Sequence, residues 1–296
     1  MKVIDSTTYF EEDMMIDLRL NILNDYVDHF IISEAKYSHS GEKKEINFDI
    51  NKYPKFKDKI THLIIDNDPT EGIEELNDRS KSIKRIGYQR DCIKNLLNKF
   101  SDDDYIIHSD NDEIPNLEEY DLKKNKNKIV IFQQILFYYK FNLGLPNVKW
   151  FGSKACKIKD LLSISKLREI KNKKYKFFRI DTLFSNQKYI NLKVIRNGGW
   201  HFSNFKTIEE LERKLLNDEN HSEFVKNINS KDDIIYNYKN NLINYNHSAD
   251  QKSESRFTKT KLENLDSKIL PRYVIENQKK YLDWFWKYFN LYLAKV

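Results

Sequence analysis

Apolar and polar positions along the first hundred residues switch between two periods. Val3-Ile4, Val27–Ser33, Ile60–Ile65 and Tyr105–Ser109 are short apolar runs, rich in Ile and Val, and read as strands. Between them lie stretches with apolar residues three and four apart. Glu11 to Leu23 places Met15, Leu18 and Ile22 on one face, with acidic residues in the first turn. Ser82 to Phe100 does the same with Ile83, Ile86, Ile93 and Leu97. Strand and helix in alternation predict an α/β fold with a mostly parallel, helix-covered sheet. Ligands of such sheets bind beyond the carboxyl ends of strands.

Further along, Ile129 to Phe141 reads as a long aromatic strand, Ile158 to Ile170 as a helix, and Tyr189 to Arg196 as another strand. Gly198-Gly199-Trp200-His201 predicts a tight turn. Ile208 to Leu216 predicts a helix, with Thr207 and Glu210 placed for reciprocal capping. Beyond about residue 230 the periodicity loosens. Val274 to Leu293 is expected to close the chain as an aromatic helix carrying Tyr281, Trp284, Phe285, Tyr288 and Phe289. Those rings read as packing against the main domain. Their companions Lys279, Lys280 and Lys287 support a second reading, peripheral membrane contact through this C-terminal helix.

Composition narrows this picture. At 296 residues, 40% of them hydrophobic, the chain can bury a large core, so disorder throughout is excluded. The net charge of +6 suits an anionic ligand such as a nucleotide diphosphate and does not by itself indicate nucleic acid. The two cysteines, Cys92 and Cys156, form no CxxC pair, which removes zinc-knuckle and redox motifs and fits a reduced, cytoplasmic setting. No apolar run approaches the roughly 20 residues of a membrane span.

Chemistry concentrates in acidic pairs. An Asp-x-Asp pair can offer oxygen ligands to one hard dication, Mg²⁺ or Mn²⁺. The pattern occurs at Asp66-Asn67-Asp68, Asp102-Asp103-Asp104 and Asp110-Asn111-Asp112. The second precedes a strand, and the first runs into a surface loop with Pro69 and Gly72. The third, like the first, leaves an apolar strand, but it stops at Ile114-Pro115, where proline fixes the chain direction.

Ser109-Asp110-Asn111-Asp112-Glu113-Ile114-Pro115 resembles the Asp-x-Asp-Glu-Ile-Pro signature of glycosyltransferase family 17. That family includes the β-1,4-mannosyl-glycoprotein β-1,4-N-acetylglucosaminyltransferase. Asp5 to Arg19, Val27 to Glu34, Ser40-Gly41-Glu42-Lys43, Gln89-Arg90, Gly198 to Ser203 and His221-Ser222-Glu223 are similar to other family segments in the same order. The resemblance spans roughly residues 1–230. It implies a GT-A-like, Rossmann-related domain there, with 231–296 as a helical extension packed on it. It also implies a UDP-sugar donor, transfer of a sugar such as N-acetylglucosamine to a glycan or glycolipid acceptor, and inversion at the anomeric carbon. No nucleic-acid partner is expected.

Roles follow for single residues. Asp110 and Asp112 are the expected metal and diphosphate ligands, and Glu113 orients one of them or is a surface acid. His201 is a candidate third ligand, expected to face the same cleft as Asp112. Gly199 permits close backbone approach to a ligand. Trp200 stacks on a sugar or fills the core. Arg90 and Arg85 suit phosphate oxygens, Glu34 ends a strand where base or ribose would sit, and His221 is a further ligand candidate. A general base is needed on the acceptor hydroxyl; Asp181 and Glu169 lie in the right interval and neither stands out. Two alternatives remain at this point. A nucleotidyltransferase should show a Gly-rich phosphate loop, absent from Ser6-Thr7-Thr8-Tyr9-Phe10. A non-catalytic carbohydrate- or nucleic-acid-binding protein would leave the acids after the strand unexplained.

Overall fold

The computed structural model describes residues 1–182, 184–217, 231–249 and 254–286. His221 and the C-terminal Lys287, Tyr288 and Phe289 lie outside the described residues. The chain divides into two compact units, residues 1–134 with 151–199, and residues 135–150 with 200–296.

The first unit is the expected α/β sheet. β1 (Val3–Tyr9), α1 (Asp13–Leu23), β2 (His29–Ala35), β3 (Ile60–Ile65), α2 (Asp78–Cys92) and β4 (Tyr105–Ser109) follow one another. The strands pair in parallel in the order β3-β2-β1-β4. Chain order therefore reverses between β1 and β4, the position at which open α/β sheets form a ligand crevice. Ile4, Ile31 and Ile106 are buried in one cluster with Ile93 and Leu97 from the turn after α2. The helix on 82–100 begins earlier than periodicity suggested, because the Asn77 side chain caps it by accepting from Ser80 N. Past Cys92 it tightens into a 3₁₀ turn, Ile93–Lys99.

A short strand β5 (Glu113–Pro115) follows the acidic turn. The long aromatic strand expected at 129–141 is instead a hairpin. β6 (Ile129–Tyr138) turns at Tyr139, whose φ of 63° is left-handed, into β7 (Lys140–Lys157). Aromatic residues on both sides of the turn hid it. The last part of β7 runs antiparallel to β4, with Ile106 opposite Cys156. The helix expected over 158–170 shrinks to a 3₁₀ turn (Ile158–Asp160) and α3 (Ile164–Glu169), capped by Ser163. β8 (Leu192–Ile195) pairs in parallel with β6.

In the second unit β9 (Gly199–Ser203) pairs in parallel with residues 135–138 of β6. α4 (Ile208–Asn217) opens with the anticipated reciprocal cap. Thr207 N donates to the Glu210 carboxylate at 2.8 Å, and Glu210 N donates to Thr207 Oγ1 at 3.3 Å. Leu136, Leu143, Leu211, Ile234 and Leu262 share a core with α5 (Lys231–Asn240). The single aromatic helix expected from Val274 is, where described, α6 (Arg272–Glu276) and a 3₁₀ turn, Gln278–Trp284. Tyr281 and Phe285 are buried against Phe141, and Trp284 stacks on Phe205.

Candidate active site

The acidic motif leaves the carboxyl end of β4 and folds into a turn closed on itself. Glu113 N donates to Asp110 O at 3.1 Å, and Asp110 N donates to Glu113 Oε2 at 3.0 Å. Glu113 is thus a wall of the turn. It is fully buried, and Arg168 on α3 grips both its oxygens, at 2.8 and 3.1 Å. Gly152 on β7 makes room for this carboxyl, since a Cβ there would sit 2.6 Å from Glu113 Cδ.

Asp110 is 30% exposed and lies between two guanidinium groups. Arg90 donates to Oδ1 at 2.6 Å and Arg168 to Oδ2 at 2.7 Å. Burial opposes ionisation, but Arg168 and Arg90 outweigh it and hold this carboxyl well below the usual range. Asp112, half-exposed, stands two residues along the same turn. Arg19 on α1 locks the turn from below. It makes two 2.6 Å bonds to the Asp5 carboxylate and a third to Glu113 O. The opening segment Asp5 to Arg19 is thereby tied to the motif 94 positions later.

His108, just before the motif, is buried and neutral, because burial and then Arg90 push its imidazole well below its usual value. Ser6 Oγ donates to Ile107 O at 2.8 Å, so the His108 Nδ1–H donates to Ser6 Oγ at 3.0 Å.

The other sequence candidates take varied places. Arg85 pairs with Asp68 at 2.8 Å and packs its guanidinium under Gly41. Glu34 is fully buried and closes the loop after β2, accepting from Lys44 Nζ, Asn47 N and Phe48 N. Asp181 lies in the loop before β8, paired with Arg179 and Lys188 at 2.7 Å each. Glu169 pairs with Lys166 on α3. Gly199 has φ +142°, and a Cβ on it would collide with Ile114 O. Its close approach is to the strand following the motif, where Asn116 N also donates to Gly198 O at 2.8 Å.

In the second unit, Trp200 is buried with its indole N–H on Ile269 O at 2.6 Å. His201 lies on β9 with its ring 4.4 Å from that of Trp150. His247 adjoins the same Trp150 at 6.0 Å, and burial with His201 nearby brings its imidazole down to about 4.

A model of glycosyltransferase family 17 matches residues 1–284. The chain belongs to this family. The match extends past the 1–230 over which motifs are readable, and it makes this protein a glycosyltransferase. The comparison with curated proteins gives no match. Among solved structures, the family 17 chain is similar to HddC from Yersinia pseudotuberculosis at 10% identity, over 66% of this chain and 90% of that one, with a TM-score of 0.32. It is similar to a putative glucose-1-phosphate thymidylyltransferase from Bacillus anthracis at 12% identity, over 67% and 87%, with a TM-score of 0.36. LgtC, a galactosyltransferase, matches at 11% identity over 53% and 58%, with a TM-score of 0.27. At these scores none of the three bears on the chemistry of the site.

Sequence reasoning missed two cations of this glycosyltransferase. Arg168 sits in Lys166-Leu167-Arg168-Glu169, which reads as an ordinary solvated helix face. Lys154 is buried on β7, its ammonium donating to Arg168 O and Ile170 O at 2.6 Å each. Burial brings its amine down to about 7, with Arg168 adding to the effect. Below about pH 7 this lysine is protonated in both folded and unfolded chains, and the cost of burying charge is fully present. Between about 7 and 10.5 only the unfolded chain holds the proton, so stability rises with pH across that window. Relative to Lys154→Met, wild type should gain on the order of 1 kcal/mol per pH unit there. Urea unfolding of both proteins at several pH values measures it; a difference that stays flat refutes the buried-amine account.

Proposed function

We propose that this family 17 enzyme is an inverting glycosyltransferase that takes a UDP-sugar donor, with N-acetylglucosamine the expected sugar, and a glycan or glycolipid acceptor. The observation that carries the reading is the position of the Asp110–Glu113 turn. It stands at the carboxyl end of β4, where strand order reverses.

The turn's donor set suits a divalent metal. Asp110 and Asp112 supply carboxylates and Asn111 an amide oxygen, which are hard ligands for Mg²⁺ or Mn²⁺. Among the described residues no three acidic, histidine or cysteine side chains converge as a closed cage. Mg²⁺ commonly uses only one or two carboxylates, with substrate phosphates completing its shell. Asp110 and Asp112 would hold the ion, which when bound screens charge on the departing diphosphate.

The protein's own residues have distinct tasks. Arg168 and Glu113 fix the turn, and Arg90 orients the Asp110 carboxylate. Arg168 and Arg90 hold the Asp110 carboxylate ionised, and Arg19 bonds the Glu113 carbonyl, so charge repulsion does not open the turn. Asp112, half-exposed on the same turn, is the carboxylate that faces the donor in this reading.

The test is calorimetric titration with UDP, and turnover of a panel of UDP-sugars, each in chelator and after Mn²⁺ or Mg²⁺ is restored. UDP binding strengthened by metal is the expected result. Full turnover in excess chelator removes the metal role, and absence of UDP binding in every condition removes the donor assignment.

A further inference from the structure

The loop 171–189, between α3 and β8, presents an apolar surface that the site does not use. Phe177, Phe178, Ile180 and Phe184 are 84%, 61%, 70% and 88% exposed. One exposed apolar side chain is ordinary, but four within eight positions of one loop, with Phe177 and Phe178 in ring contact, call for a partner. The same loop carries Lys171, Lys173, Lys174, Lys176, Arg179 and Lys188 against the single acid Asp181.

The loop is braced at its base, so these side chains are held outward. Lys171 N donates to Gln187 O at 2.7 Å, and Tyr175 N donates to Tyr189 O at 3.4 Å. Asp181 ties Arg179 to Lys188. The cations also lie against rings: Arg179 is 5.7 Å from the Tyr175 ring, and Lys176 is 5.6 Å from that of Phe178.

We propose that the loop 171–189 is a membrane-contact element that docks the enzyme on an anionic lipid surface. Apolar side chains beside a run of lysines match the two terms of interfacial binding, insertion at the acyl boundary and attraction to acidic headgroups. Association is peripheral, since among the described residues no helix is long and apolar enough to cross a membrane. A lipid interface accommodates Ile180 as well as the phenyl rings. A single-stranded nucleic acid would stack on rings and leave the aliphatic side chain unused. This surface is distinct from the C-terminal aromatics, of which Tyr281 and Phe285 are buried. The proposal does not depend on which sugar is transferred.

The experiment is cosedimentation of the full chain with vesicles of phosphatidylcholine, with and without phosphatidylglycerol, across a salt series. Wild type should pellet with the acidic vesicles and be released by salt. Phe177→Ser/Phe178→Ser/Phe184→Ser should weaken partitioning roughly tenfold or more, through lost insertion. Lys173→Glu/Lys174→Glu should weaken it about fivefold or more per residue, and only on acidic vesicles. All these positions are at the surface, so melting curves should match wild type and UDP binding should be retained. The proposal is overturned if wild type stays in the supernatant, if the aromatic variant pellets like wild type, or if the loop variants lose binding to single-stranded nucleic acid while no vesicle is bound.

Discussion

Asp112→Asn is expected to slow sugar transfer about 10²–10³-fold while the melting temperature stays near that of wild type. Asparagine keeps the size of the side chain and one oxygen but removes the charge. A dication beside a diphosphate needs that charge to bind tightly. Without it, negative charge on the departing nucleotide goes largely unscreened. Folding should change little, because Asp112 is half-exposed and shares its turn with two other acids, Asp110 and Glu113. Removing one of several like charges at a functional site often stabilises. Donor turnover with metal add-back, run beside a melting curve, separates the outcomes. Turnover within a few-fold of wild type would remove Asp112 from the site, and an unfolded variant would give the motif a structural role.

Arg168→Met is expected to cost about 3–5 kcal/mol of stability, the usual penalty for leaving a buried charge without its partner. Arg168 pairs with the Glu113 carboxylate at 2.8 Å, and Glu113 is fully buried. The double variant Arg168→Met/Glu113→Gln should recover a large part of the loss, because the stranded charge goes with its partner. Denaturant unfolding of the two single variants and the double variant gives the coupling. A loss below about 1 kcal/mol for Arg168→Met would mean that the pair is solvated and only marginally stabilising. Activity has a separate readout. If Arg168 acts through Asp110 and Glu113, the double variant regains its fold before it regains turnover.

The strands and helices of the first hundred residues were legible because each is regular and local. The Ile60–Ile65 and Tyr105–Ser109 strands match residue for residue, and α1 starts two positions later than its periodicity suggested. The acidic turn stood out because it directly follows an apolar strand and ends at Ile114-Pro115, whereas Asp66–Asp68 runs on into a loop and Asp102–Asp104 precedes a strand. What holds that turn was not. Arg168, Arg19 and Gly152 reach it from three other elements, and nothing near them in sequence marks the contact. The β6–β7 hairpin was missed because its turn is a tyrosine with left-handed φ, where glycine or asparagine is the usual signal. Gly199 was expected to bring the backbone close to a ligand; the close approach in the fold is to the backbone of Ile114-Pro115, which sequence alone does not indicate.

The path of the chain through its two units limits how the protein can be dissected. The first unit is interrupted at 135 and resumed at 151, and the second takes that interruption as its own hairpin. No single cut yields either unit whole. A fragment ending near 199 would carry Leu136, Tyr138, Phe141 and Leu143 without the residues of 200–286 that bury them. Exposed apolar strand of this kind associates with other copies of itself. Such a fragment would fail by aggregation even if the turn at Asp110 were correctly folded, so loss of function on truncation carries no information about the role of the missing part.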